Sequence, residues 1–219
     1  MSIFLINSYI TFPDLPPEQI ANAKAMSFNG TDQYVSASYS GNVQALSLWF
    51  KPNSAITTSS SPQYIINFSG NWNGIGFGDF TNALTNELII VSDANIAGRS
   101  AYTASGGSIS AQWHHLLINW SGSVYEIWLD GTNVQNATTG TPTLINASSI
   151  EIGRRSTSPH YYFNGEIDEV AIFNTALSAN KIQQIYNATA VVGGVPQTAN
   201  LFTGGLDTSL VYWNRMGDS

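Results

Sequence analysis

The chain of 219 residues contains no cysteine. Disulfides, cysteine-based zinc sites and thiol catalysis are excluded together. Charged residues are scarce too, at 10% of the chain, where about a quarter is usual. Ser, Thr and Asn must therefore build much of the surface. Seven Lys and Arg stand against fourteen Asp and Glu, for a net charge of −7. So few scattered cations cannot neutralise a phosphate backbone, and nucleic acid is not an expected partner. No basic residue precedes Lys24, and Asn7, Ser8 and Pro13 break the first apolar run, so the N-terminus does not read as a signal peptide. The apolar stretches are far too short to span a bilayer, and no membrane insertion is expected.

What is present is a core. Hydrophobic residues make up 43% of the chain, with six Trp, ten Tyr and ten Phe to fill it. The length suits one all-β domain with short extensions. The segments QALSLWFK (44–51), QYIINF (63–68), ELIIVS (87–92), WHHLLINW (113–120), VYEIWLD (124–130) and SIEIG (149–153) are short and rich in β-branched and aromatic residues. Each is bounded by turn formers, so all read as strands. Residues 121–123 join two of them as a hairpin, and Asp130-Gly131 predicts a type I′ turn. Leu116, Leu117 and Ile118 place apolar side chains on both faces of one strand, which predicts a central strand covered on both sides. Strands at this spacing predict an antiparallel sandwich or jelly roll. One short helix is expected near 178–187, capped by Ser178, with Ile182, Ile185 and Tyr186 on one face. Lys181 stands where a capping box wants Glu or Gln.

The ends differ from the middle. Residues 1–23 and 189–219 read as extensions on a domain over 24–188. FNG occurs at 28–30 and again at 163–165. The plain reading is that the first and last strands of the domain lie side by side and turn alike.

In order along the chain come MSFNGTDQYVSAS (26–38), LSLWFKP (46–52), QWHHLLINWSGSVYEIWLDGT (112–132), IEIGRR (150–155) and FNGEIDEVAIFNTALSANKIQQIYN (163–187). Together these resemble the laminin-G-like, concanavalin-A-like jelly-roll family in its bacterial and phage form. The resemblance implies two antiparallel sheets packed face to face, ligand sites on rim loops or the concave face, often for glycans, and often one bound calcium ion. NAKAMSFNGTDQYV and LVYWNRMGD also look like segments of marine phage structural proteins. That likeness implies a virion component, or a protein that reaches the outside by cell lysis.

Glu166, Asp168 and Glu169 crowd one apolar run. As a hydrolase pair, Glu166 and Asp168 share a strand face. The third acid of the Glu-x-Asp-x-Glu pattern found in some glycoside hydrolases on a related jelly roll is missing, because positions 170 and 171 are Val and Ala. Glu169 is expected on the opposite face. As a metal site, the resemblance points to calcium held by Asp32, Asp168 and the Gly30 carbonyl. As structure, the acids only satisfy backbone N–H groups and neighbouring Arg. The structural reading is adopted, with calcium as the alternative and catalysis set aside.

His114 and His115 are adjacent on a strand, face opposite ways and read as structural. Trp72 lies between Asn71 and Asn73 in a glycine-rich stretch, a setting that suits stacking on a sugar ring with amides on its hydroxyls. The plainer alternative tucks it onto the sandwich. Arg155, His160 and Tyr161 belong to a loop, RRSTSPHYY (154–162), of the kind that carries binding on a rigid scaffold. The alternative is a solvated connector. The sequence therefore reads as a non-catalytic recognition module for a glycan or other surface ligand. The second reading is a structural virion component that assembles with virion proteins or with its own copies through residues 1–12 and 210–216.

Overall fold

The computed structural model describes residues 15–57, 59–68, 72–78, 88–92, 98–104 and 108–218. Strands β1 (Gln19–Ala21), β2 (Met26–Asn29), β3 (Val35–Ala37) and β4 (Gly41–Val43) lead into the long β5 (Ala45–Pro52). Then come β6 (Gln63–Phe68), β7 (Gly74–Phe77), β8 (Leu88–Val91) and β9 (Arg99–Tyr102). Next are β10 (His114–Trp120), β11 (Tyr125–Leu129), β12 (Thr132–Asn133), β13 (Ala137–Thr139), β14 (Ile145–Ala147) and β15 (Ile150–Ile152). The chain closes with β16 (Asn164–Phe173), α1 (Ala179–Asn187), β17 (Val191–Val192), β18 (Val195–Ala199) and β19 (Leu210–Asn214).

Two antiparallel sheets form the sandwich. The first runs β12–β11–β10–β5–β16–β19, with β2 beside the start of β16, and the second runs β13–β9–β8–β7–β6–β15–β3. Their inner faces share one core in which Phe50 of the first sheet meets Phe77 of the second, 5.1 Å between ring centres. The strand period of two sets the sides. Leu116 and Ile118 enter that core, while Leu117 joins Ala45, Ala171 and Phe173 on the outer face. There Ile182 and Ile185 of the helix cover them. The two-sided apolar strand is thus a central strand, as its sequence indicates.

Local signals hold in detail. Asp130 and Gly131 both have positive φ, 49° and 74°, as the type I′ turn requires. The Ser178 hydroxyl accepts from the Lys181 N–H at 3.3 Å and caps the helix. The paired FNG segments are neighbours: Phe28 lies opposite Gly165, and Asn29 opposite Asn164. The buried Asn119 amide clasps Leu177 in both directions, at 3.1 and 2.8 Å, and anchors the chain before the helix.

The two flanking segments return to the sandwich. Strand β19 pairs with the second half of β16, and β1 pairs with β18. Among the described residues no helix is long and apolar enough to cross a membrane.

Tyr125 is a buried polar pin. Its hydroxyl donates to the Val43 carbonyl and accepts from the Ile145 N–H at 3.0 Å. Burial pushes its phenol well above the ordinary tyrosine value. Replacing Tyr125 by Phe leaves both backbone groups unpaired in the core, so urea unfolding is expected to show a loss of about 1–3 kcal/mol. A change below about 0.5 kcal/mol would mean the core relaxes around the missing hydroxyl.

Candidate functional site: an aromatic shelf and rim cavity on the second sheet

The helix and the returning C-terminal segment cover much of the first sheet's outer face. On the second sheet's outer face, among the described residues, Tyr64, Ile89, Val91 and Ala101 form a small buried cluster, with the partly buried Trp72 and Tyr161 packed against it. The Tyr64 and Tyr161 rings stack at 6.4 Å, and Trp72 lies 6.3 Å from Tyr161 at a tilt. Gly76 lies opposite Tyr64 in the pairing. The result is a shelf of two partly exposed rings, Trp72 and Tyr161, on a base that includes the buried Tyr64.

Two residues hold it. Arg155 is buried, and its guanidinium stacks on the Trp72 ring at 3.6 Å. Its Nε and Nη2 donate to the Thr157 hydroxyl at 3.0 and 2.8 Å, and Nη2 also donates to the Ser158 carbonyl. Its charge counters the burial that raises the Tyr64 phenol above its usual range. Asn67, fully buried in β6, joins the two loops. Its amide donates to the Asn73 carbonyl at 2.7 Å, and its oxygen accepts from the Ser156 hydroxyl at 2.7 Å and the Ser156 N–H at 3.1 Å. The 155–160 loop closes on itself: the Arg155 N–H donates to the His160 carbonyl, and His160 Nδ1 donates to the Arg155 carbonyl at 3.1 Å.

Beside the shelf lies a rim cavity of about 380 Å³. Tyr161 and Tyr162 line it with Gly30 and the side chains of Asn29, Gln63 and Asn164. Gly30 has a φ of 75°, and a Cβ there would stand 2.9 Å from the Asn164 Cβ, so the turn at this rim requires glycine.

Of the residues singled out in sequence, the fold brings Trp72, Asn73, Arg155, His160 and Tyr161 together. Asn71 lies outside the described residues. Arg155 supports the shelf from a buried position, and the surface is left to Trp72 and the tyrosines. Sequence reasoning passed over Asn67, Gln63 and Asn164. A signal for Asn67 was present, since an amide in the middle of QYIINF needs buried partners.

Asp32 and Asp168 do not meet. Asp32 sits in the turn after β2, where its carboxylate accepts from the Asn29 amide at 2.7 Å. Asn29 pairs with Asn164, four positions before Asp168, so the two acids lie about 13 Å or more apart. No ion can be shared between them. Among the described residues no three acidic or histidine side chains gather to hold a metal.

The carboxylates of β16 differ from their sequence pattern in one respect. Glu169 has a φ of 51° and forms a bulge between Asp168 and Ala171. The extra residue turns Glu169 to the same side as Asp168, where strict alternation places it opposite. Glu169 accepts from Trp213 Nε1 at 2.7 Å and from Arg215 Nε at 3.0 Å. Glu166 pairs with Lys51 at 3.1 Å. Asp168 is buried, and burial together with the Glu169 and Asp218 charges raises its pKa to about 7, against hydrogen bonds from Asn22 and the Glu169 N–H that lower it. The histidines face opposite ways: His114 meets Asp130 at 2.7 Å, and His115 packs against both Trp49 and Tyr186 with its Nε2 2.8 Å from the Ser47 hydroxyl.

A two-sheet jelly roll with an aromatic shelf at the rim of its second sheet and a polar cavity beside it is the class of molecule these features define. The chain belongs to the concanavalin A-like lectin/glucanases superfamily, whose laminin-G-type family model matches residues 29–183, more than half of its length. A candidate carbohydrate-binding protein from Bacteroides ovatus superposes with a TM-score of 0.51 at 13% identity, over 93% of this chain and 61% of that one. The binding domain of botulinum neurotoxin serotype D/C superposes with a TM-score of 0.50 at 14% identity, over 81% of this chain and 48% of that one. The chain thus spans less than two thirds of either protein, and the likeness is one of fold. No curated protein matches the sequence.

Proposed function

We propose that the chain is a non-catalytic carbohydrate-recognition module whose ligand rests on the Trp72–Tyr161 shelf and reaches into the rim cavity. The observation that carries this reading is the convergence of two partly exposed aromatic rings, Trp72 and Tyr161, with an amide-lined cavity at the rim of the second sheet. Aromatic faces accept the C–H face of a sugar ring, and amides both donate to and accept from its hydroxyls. A non-catalytic role is supported by Glu166 and Glu169, each engaged by a basic side chain. The kinship to a superfamily of lectins and glucanases agrees with carbohydrate as the ligand class, and fold alone does not choose between binding and hydrolysis.

A broad glycan array tests it. Wild-type protein is expected to bind a defined subset of glycans, and Trp72→Ala to weaken that binding by about tenfold or more. Absence of binding, or binding indifferent to Trp72, would sink the reading. A chelated arm shows whether calcium contributes to the binding.

A second reading is an assembly role in a virion, with display on the particle or release by lysis as its location. It is favoured by β19, which forms part of the first sheet's edge and carries the exposed Val211. Light scattering of a Val211→Lys variant tests it: a drop in particle mass supports assembly through this edge, and an unchanged mass removes it. The N-terminal segment 1–12, the other surface expected to assemble, lies outside the described residues.

A further inference from the structure

We propose a second saccharide site on the opposite face of the molecule, in a groove between the first sheet and the wall built by its two flanking segments, fitted to a short neutral saccharide. It rests on the carbohydrate reading of the module and places a separate site elsewhere on the fold.

The groove has a volume of about 400 Å³, ample for a disaccharide-sized ligand. Its floor is the outer face of β5 and β16, with Trp49 opposite Asp168 and Lys51 opposite Glu166 in the register. Trp113, just before β10, extends this floor and is 39% exposed. The wall is made by Asn22, Lys24 and Gln197, held together where the Asn22 N–H donates to the Pro196 carbonyl at 3.0 Å. Residues that sequence alone treats as extensions therefore complete a pocket that the sheet could only begin.

The chemistry narrows the occupant. Trp49 is braced by Tyr186, stacked at 6.2 Å, and by His115 at 5.0 Å, so it offers a fixed indole. The charges near the groove balance, with Lys24 and Lys51 against Glu166 and Asp168, and Glu166 is already paired. Nothing there selects a strongly charged ligand. A purely apolar ligand would desolvate the Asp168 carboxyl and the wall amides without return. A buried acceptor, Asn22 Oδ1, has no hydrogen-bond partner. Hydroxyl groups supply both donors and acceptors, and a pyranose C–H face matches an indole. A neutral saccharide meets all of these conditions.

The test uses ligand-observed NMR with maltose, cellobiose and lactose at millimolar concentration. It compares the wild type with Trp72→Ala, and with Trp113→Ala and, as a conservative control, Trp113→Phe, each made in the Trp72→Ala background. Binding of at least one disaccharide is expected to survive in Trp72→Ala. It is expected to fall by about tenfold in Trp113→Ala and to recover in Trp113→Phe. Trp113 is partly exposed, so the variant should keep the wild-type melting curve. If no disaccharide binds the Trp72→Ala protein, or if Trp113→Ala leaves that binding unchanged, the second site is overturned while array binding through Trp72 still stands. If binding depends on Trp113 and never on Trp72, the groove stands and the shelf falls.

Discussion

Replacing Asp168 by Asn is expected to stabilise the protein by about 2–4 kcal/mol at pH 8 relative to the wild type, with the gain shrinking as the pH falls towards 4. Burial raises the Asp168 pKa from 3.8 to about 7, with the Glu169 and Asp218 charges adding to it. The folded state therefore keeps its proton well above the pH at which the unfolded chain releases it. Stability from this group is fully present below about pH 4 and is lost as the pH rises through 7. The Glu169 carboxyl is also raised, burial again outweighing Arg215 and Trp213, and works in the same direction. His115 works the other way: burial holds it neutral, with a pKa near 4, so its contribution is lost as the pH falls. Subtracting wild-type from variant curves isolates Asp168. A second amide at this position has a ready partner, because the Asn22 side chain can turn its unpaired Oδ1 towards it. Thermal unfolding between pH 4.5 and 8 measures the difference, and a difference independent of pH would refute the assignment.

Replacing Asn67 by Ala is expected to cost about 2–4 kcal/mol of stability and to weaken glycan binding by at least about tenfold. The substitution leaves the Asn73 carbonyl and the Ser156 N–H without this partner in a buried setting. It also uncouples the loop that carries Trp72 from the loop that carries Arg155 and Tyr161. The affinity loss should exceed that of a variant destabilised in the core, such as Tyr125→Phe, when both are assayed well below their melting temperatures. Equal losses in the two would reduce Asn67 to a general structural role.

Much of this architecture is legible in the chain. Strand positions, the Asp130-Gly131 turn, the Ser178 cap and the two-sided burial of residues 116–118 follow from patterns a few residues long. Such patterns are set by steric limits on φ and ψ and by the strand period of two. Even the adjacency of the FNG segments can be inferred, because similar turns suit strands that run side by side. The site is legible only in part. Trp72, Arg155 and Tyr161 stand out as residue types in a loop-like setting, yet their roles do not. That Arg155 supports and Trp72 presents depends on which of them is covered when the loops meet.

Where the sequence reading departs from the structure, the cause is nonlocal. The bulge at Glu169 reverses the side of one carboxylate, and Trp213 and Arg215, more than forty positions away along the chain, hold it there. Asp32 and Asp168 share residue type but fall at different heights along the β2–β16 pair. The segments before residue 24 and after residue 188 acquire meaning only by returning to the first sheet, where they wall a groove. The sequence by itself determined the elements and the faces they bury, since these depend on neighbours within a turn or a strand. Tertiary structure decided which distant side chains meet, because that depends on register and chain closure, which no short stretch encodes.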